Sequence, residues 1–276
     1  MMVMNNFKLF KLFLSFLYSF IYLFIFTLIY SCDFSSKINS DILEAQKYFH
    51  KQDYINSVKH YEDILKRDPP ASIKAKIYFQ LGELYSIHLG KYKEGVKYFL
   101  ALKEEKDDPS WMLKVEDRIG DINYTFLRDY KSAISNYSKL IKFVPIPDKH
   151  DMYEFRLAKS FMESGKLDMA QIHFQNILNA KKHEFHIEAT FELGLLYYEM
   201  KNWDNALKYW DRYIEIEKRK DKVAWVKFLM ANTYETLEKL EEAYELYYSI
   251  LGEYPNTEVL KERLKAIYNR KLKRRR

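Results

Sequence analysis

Six bulky apolar residues, Tyr54, Tyr92, Tyr130, Leu167, Trp203 and Leu240, recur about 36 to 38 positions apart. Each is followed on the same helical spacing by a small residue (Ser57, Gly95, Ala133, Ala170, Ala206, Ala243) and then by an aromatic one (Tyr61, Phe99, Tyr137, Phe174, Trp210, Tyr247). A second set stands upstream of five of them: Leu81-Gly82, Ile119-Gly120, Leu157-Ala158, Leu193-Gly194 and Met230-Ala231, with Tyr85, Phe161, Tyr197 and Tyr234 three residues after the small position in four. Apolar positions three and four apart on both sides of a turn describe two helices joined as a hairpin. One such hairpin cannot bury its apolar face alone, so the chain must stack its copies.

The residue types say how the copies pack. Small residues at matched positions let two helices approach closely, and the large aromatics fill the space beside them. Pro69, Pro145 and Pro255 follow second helices, where a missing N–H stops propagation. The first copy, with Ala45, Tyr48, Tyr54 and Ser57, is the most degenerate, as expected where one face has no neighbouring repeat. In the second and third copies the first helix or its turn is one residue longer. Ala101–Ser110 and Val144–His150 are the longest connections between hairpins and are candidates for bends. Asn256 to Tyr268 predicts a closing helix, with Asn256 as N-cap and Leu260, Leu264 and Ile267 on one face.

The fifth copy, Leu193, Gly194, Tyr197, Trp203, Ala206 and Trp210, resembles the tetratricopeptide repeat. The resemblance runs from about residue 40 to 255, with repeats a few residues longer than the family's. It implies an all-α fold: a right-handed α-solenoid of about six helical hairpins plus a C-terminal capping helix. The expected organisation is a targeting segment at 1–32, a short tether at 33–40, the repeat array at 41–255, and a capping helix with a basic tail at 256–276.

Leu12 to Tyr30 is an uncharged run of 19 residues preceded by Lys8 and Lys11 and followed by Ser31-Cys32. It reads as a targeting segment, nearly long enough to cross a bilayer as a helix. The run Ile29-Tyr30-Ser31-Cys32 resembles the lipobox of bacterial lipoproteins, which implies lipidation at Cys32 and cleavage just before it. An uncleaved anchor is the alternative. Under both readings the lysines stay inside and the repeats face outside the cytoplasm, in the bacterial cell envelope. Cys32 is the only cysteine, so no disulfide forms within the chain.

The net charge of +6 is concentrated at the C-terminus, where residues 258–276 hold nine Lys or Arg against Glu258 and Glu262. These cations complement a helix dipole, and contact with anionic lipid is their functional alternative. A nucleic-acid partner is not expected, because no recognition motif accompanies the tail. Catalytic residues, metal ligands and cofactors are not expected either. Seven glycines form no phosphate-cradling loop, and His183 and His186 read as exposed turn residues without a clustered carboxylate or thiol.

In tetratricopeptide proteins the partner lies along the first helices of the hairpins. Three residues before each small position stand Ile42, Phe79, Asp117, Phe155, Phe191 and Phe228. The resemblance therefore places Phe79, Phe155, Phe191 and Phe228 in a partner-binding groove, with Tyr124, Tyr198 and Trp225 from adjoining positions. Such a lining suits a peptide with apolar anchors. Of the Lys and Asn clamp by which some family members hold a chaperone's terminal carboxylate, only Asn232 has a match. The resulting expectation is a membrane-anchored scaffold for envelope proteins or peptides, similar in plan to the repeat lipoproteins of outer-membrane protein assembly. An adaptor for cell-wall synthesis or division enzymes is the alternative, and a hydrolase with a dispersed site is a third reading.

Overall fold

The structure, a computed structural model, describes residues 37–105 and 109–274. The apolar segment, Cys32, the start of the tether, and Arg275 and Arg276 lie outside the described residues. Among the described residues the fold is all-α, with thirteen helices and no strand. They run as α1 (37–50), α2 (Tyr54–Leu65), α3 (Ala71–Glu83), α4 (Tyr92–Glu105), α5 (Pro109–Ile122), α6 (Tyr130–Leu140) and α7 (His150–Glu163). Then follow α8 (Leu167–Asn179), α9 (His186–Glu199), α10 (Trp203–Ile216), α11 (Lys220–Thr236), α12 (Leu240–Ser249) and α13 (Thr257–Arg274). The chain divides into two compact units, one up to Val115 and one from Glu116, with the boundary inside α5.

Each unit is a stack of hairpins of the α-solenoid type. In the first, α3 packs on α4 and α2 lies against α3; in the second, α7 packs on α8, α9 on α10 and α11 on α12, while α8–α9 and α10–α11 contacts join successive pairs. The matched small and aromatic positions form the contact inside each hairpin. A Cβ built on Gly82 would overlap the Phe99 ring, and one on Gly194 would overlap the Trp210 indole. Ala158 with Phe174 and Ala231 with Tyr247 are likewise fully buried. What the small residue admits is thus the partner helix's ring as much as its backbone.

The six turns share one backbone solution. Gln52, Gly90, Arg128, Gly165, Lys201 and Glu238 all have positive φ, each two residues before the bulky apolar residue that opens the second helix. In four copies the residue after the left-handed one closes the turn five residues back: Asp53 to Tyr48, Lys166 to Phe161, Asn202 to Tyr197 and Lys239 to Tyr234. In the second and third copies the N–H groups of Lys91 and Asp129 reach six residues back, to Tyr85 and Asn123. The extra residue is taken up as one π-helical turn, Leu84–His88 after α3 and Asn123–Leu127 after α5. Asp53, Asp129 and Asn202 then cap the second helices by accepting from backbone N–H groups three residues on.

Two boundaries differ from the sequence reading. Helix α1 is already formed at residue 37 instead of beginning at 41, because Ile38 is buried in the first core with Ala45, Tyr61 and Leu81. Helix α13 continues past Tyr268 to Arg274, since cations along its last turns meet carboxylates of α11, α12 and the turn between them. Its apolar face, Leu260, Leu264 and Ile267, covers α12.

Replacing Gly194 with Ala should cost about 1 to 3 kcal/mol, because the added methyl must displace Trp210 from a closed site. Lys201→Gly should instead stabilise the chain by about 1 kcal/mol, since a left-handed residue pays a Cβ penalty that glycine avoids. Thermal melting of the two variants should move in opposite directions, and a loss for Lys201→Gly would contradict the strain assigned to the turn.

Candidate functional site

The helical period carries the groove positions to the same side of successive first helices. In the second unit, Phe155 of α7, Phe191 of α9, and Trp225 and Val226 of α11 line a recess of about 380 Å³. Tyr213 of α10 closes it from a second helix, and Glu188, Glu192 and Lys222 supply its polar lining. The rings are held from behind. Phe155 stacks on Phe185 at 4.9 Å and meets the edge of Phe174, Phe191 leans on Tyr213 at 5.5 Å, and Trp225 stacks on Tyr254. Phe155 and Phe191 are half-buried, and Trp225 is 47% exposed. These residues are packed enough to be pre-positioned and open enough to touch a partner.

The remaining expected groove residues separate. Phe79 lies in the first unit, where it lines a recess of about 360 Å³ with Ile42, Ile73 and Trp111 and meets the edges of Phe99 and Trp111. Phe228 stacks on Tyr254 at 4.6 Å and packs against the terminal core, outside the lining of the recess that holds Phe155 and Phe191. Tyr198 borders a polar pocket with Asn232, Glu235, Arg263 and Arg270. Tyr124 is half-buried between Tyr130 and Tyr137, with the Arg156 guanidinium 5.4 Å from its ring. Of Phe155, Phe191 and Phe228, which share one first-helix position, only the first two therefore line one recess. Tyr254, which follows α12, stacks on the third, which stays half-buried against the edge of the terminal core.

The charges of the recess were missed in the sequence, although their signal was present. Glu188 and Glu192 flank Phe191 at three and one positions, and Lys222 precedes Trp225 by three, so the helical period that placed the rings also places them. Glu192 is buried, and its carboxylate accepts from Lys159 Nζ at 2.9 Å. Burial pushes the Glu192 carboxyl above its ordinary range, with Lys159 acting in the opposite sense.

The reading of His183 as an exposed turn residue is overturned. Its side chain is 1% exposed, and Nε2 lies 3.3 Å from Glu154 Oε2. The residues 180–185 between α8 and α9 fold back onto the start of α7, where Glu184 N–H donates to Asp151 at 2.9 Å. His186 is half-buried at the first turn of α9. The basic tail is also more engaged than its composition suggested: Arg270 meets Glu235 at 2.8 Å and Glu238 at 2.5 Å, Lys271 pairs with Glu241, and Arg274 with Glu238. No helix among the described residues is long and apolar enough to cross a membrane.

Two segments, residues 75–108 and 188–216, match models of the tetratricopeptide repeat. No curated protein matches the sequence. Among solved structures, PilW, described as a widely conserved type IV pilus biogenesis factor, is 18% identical with a TM-score of 0.51; the match covers 84% of this chain and 98% of that one. A tetratricopeptide repeat protein from Parabacteroides merdae is 15% identical with a TM-score of 0.50, covering 84% and 98%. The structure of Naa15/Naa10 bound to HypK-THB contains a chain 16% identical with a TM-score of 0.55, covering 84% of this chain and 39% of that one. At these identities the likeness establishes the fold.

The Lys159–Glu192 pair gives a pH-dependent expectation. Lys159→Met should destabilise the chain by about 3 kcal/mol at neutral pH, because a buried carboxylate is left unpaired. Burial raises the folded-state pKa of Glu192 above its unfolded value. The destabilisation should therefore be complete above the folded pKa and shrink as acid protonates the group. Urea unfolding at pH 7 and pH 5 checks this; an equal loss at both would remove Glu192 as its source.

Proposed function

We propose that this tetratricopeptide-repeat protein is a non-catalytic scaffold whose second unit captures a segment of another protein in the recess lined by Phe155, Phe191 and Trp225. The observation that carries the reading is the exposure of rings fixed from behind on three consecutive first helices. Pre-positioned aromatic side chains lose little conformational freedom on binding, so most of the contact gain is retained. A recess of about 380 Å³ takes a few side chains, not a whole folded partner. The complementary segment has aromatic or long aliphatic anchors. A Lys or Arg beside them would meet Glu188.

The setting we propose is the bacterial cell envelope. The uncharged run Leu12–Tyr30 after Lys8 and Lys11, followed by Ser31-Cys32, supports membrane attachment, with lipidation at Cys32 as the favoured form. From such an anchor the repeats face envelope proteins, and assembly of outer-membrane proteins is the process to which this plan is most similar. The pilus factor among the structural neighbours supports the fold and leaves the process to be argued from this chain's own residues.

Phe191→Ala combined with Trp225→Ala should weaken capture of the co-purifying envelope protein at least tenfold while lowering the melting temperature only modestly, because Trp225 in particular contributes little to the core. A stable double variant with unchanged capture would move the binding surface elsewhere. Cys32→Ala should abolish metabolic fatty-acid labelling and leave an uncut precursor. Persistent labelling would exclude Cys32 as the lipid site.

A further inference from the structure

Three charged side chains line the aromatic recess of the second unit, and they are not equivalent. Glu192 is already neutralised by Lys159: the two meet at 2.9 Å, with only 12% and 16% of their side chains exposed. Glu188 stands on the first turn of α9 and Lys222 on the first turn of α11. Both are half-buried, and among the described residues no ion pair or hydrogen bond holds either one. The charge of Glu188 nevertheless reaches the wall of the recess. Burial, Glu217 and Glu188 push the Tyr213 phenol above its ordinary range.

The fold thus leaves one unpaired anion and one unpaired cation in a wall otherwise made by Phe155, Phe191, Tyr213, Trp225 and Val226. A half-buried charge has given up part of its hydration without gaining a partner. A ligand charge of opposite sign is therefore favoured beside it and one of like sign opposed. Glu188 and Lys222 belong to different helices and no ion pair joins them, so both are open to a ligand at the same time.

Resting on the capture of a protein segment in this recess, we infer that the segment is one of mixed charge. It carries an aromatic or long aliphatic anchor against the rings, a Lys or Arg on one side of that anchor set against Glu188, and an Asp or Glu on the other side set against Lys222. Opposite charges at its two ends also fix the direction in which the segment lies. Turned end for end, it would set its cation against Lys222 and its anion against Glu188. Suppression of that wrong order by like-charge contact, more than attraction in the right one, is how charges at a partly solvated site give specificity. Glu188 and Lys222 are then specificity-determining residues, while the rings supply the apolar contact common to all segments.

Full-length chain in mild detergent, with fluorescently labelled peptides whose ends are blocked, tests this by anisotropy. The peptides carry the cores Lys-Trp-Leu-Glu, Glu-Trp-Leu-Lys and Ala-Trp-Leu-Ala in a Gly-Ser frame, and the Ala-flanked one reports the rings alone. One of the two mixed-charge peptides should bind at least tenfold more tightly than the Ala-flanked peptide and than its own reversal. Glu188→Gln and Lys222→Gln, at half-buried positions without internal bonds, should each keep the parent's melting temperature and lose most of that preference. Glu188→Lys combined with Lys222→Glu should favour the opposite order. Equal binding of all three peptides, or an unchanged order of preference in the double reversal, would overturn the inference while leaving the recess as a capture site. Absence of binding by any peptide, or binding that survives Phe191→Ala with Trp225→Ala, would overturn the capture reading and this inference with it.

Discussion

Within each hairpin, a large ring on the second helix rests on a small residue of the first. Phe99 over Gly82, Tyr137 beside Gly120 and Trp210 over Gly194 make that contact, and Phe174 and Tyr247, at the positions matching Ala158 and Ala231, are buried as well. The contact sets the separation of two helices whose isolated stability would be marginal, so helix formation and pairing become one event. It also orients the hairpin's outer residues, because a helix fixed at one face has its other faces fixed by the 3.6-residue period. The recess near Phe155 and Phe191 depends on it: Phe155 meets the buried Phe174, and Phe191 leans on Tyr213, one turn beyond Trp210.

The many tyrosines let the same rings serve as polar anchors. A tyrosine places apolar surface in the core while its hydroxyl reaches a carboxylate at the edge. Tyr85 and Tyr98 both donate to Glu62 at 2.7 Å, and burial together with Glu62 pushes the Tyr85 phenol up to about 12. Tyr137 donates to Asp121, which Arg156 also meets, and Tyr247 donates to Asn232. These bonds cross between helices, so they fix the angle at which the rings enter as well as their depth. Directional bonds at the edges supplement the non-directional burial inside.

The aromatic recess and the histidine cluster occupy neighbouring parts of the second unit and share a connection. Phe155 and Glu154 are adjacent on α7, and Phe185 and His183 lie in one short loop. Helix α7 thus presents a ring to the recess while the preceding residue presents a carboxylate to the imidazoles of His150 and His183. A change that reorders residues 180–185 reaches both at once, through the 4.9 Å stack of Phe185 on Phe155.

The sequence by itself determined what repeats. Small residues, opposing aromatics and the bulky apolar residue at each turn act through local helical geometry, so their spacing reports the hairpins. Even the added residue in the second and third copies was legible, although its form as a π-turn was not. The left-handed residue of the turn was hidden because only Gly90 and Gly165 are glycines; Gln52, Arg128, Lys201 and Glu238 adopt the same conformation under the constraint of the packed helices. Tertiary structure alone decided what each equivalent ring meets. Phe191 lines the recess while Phe228, equally half-buried, stacks on Tyr254, because what lies beside a ring depends on a neighbouring segment that the local period does not encode. It also decided the surroundings of His183: more than two dozen residues separate it from Glu154 in the chain, and only the return of the α8–α9 loop to α7 brings them within 3.3 Å.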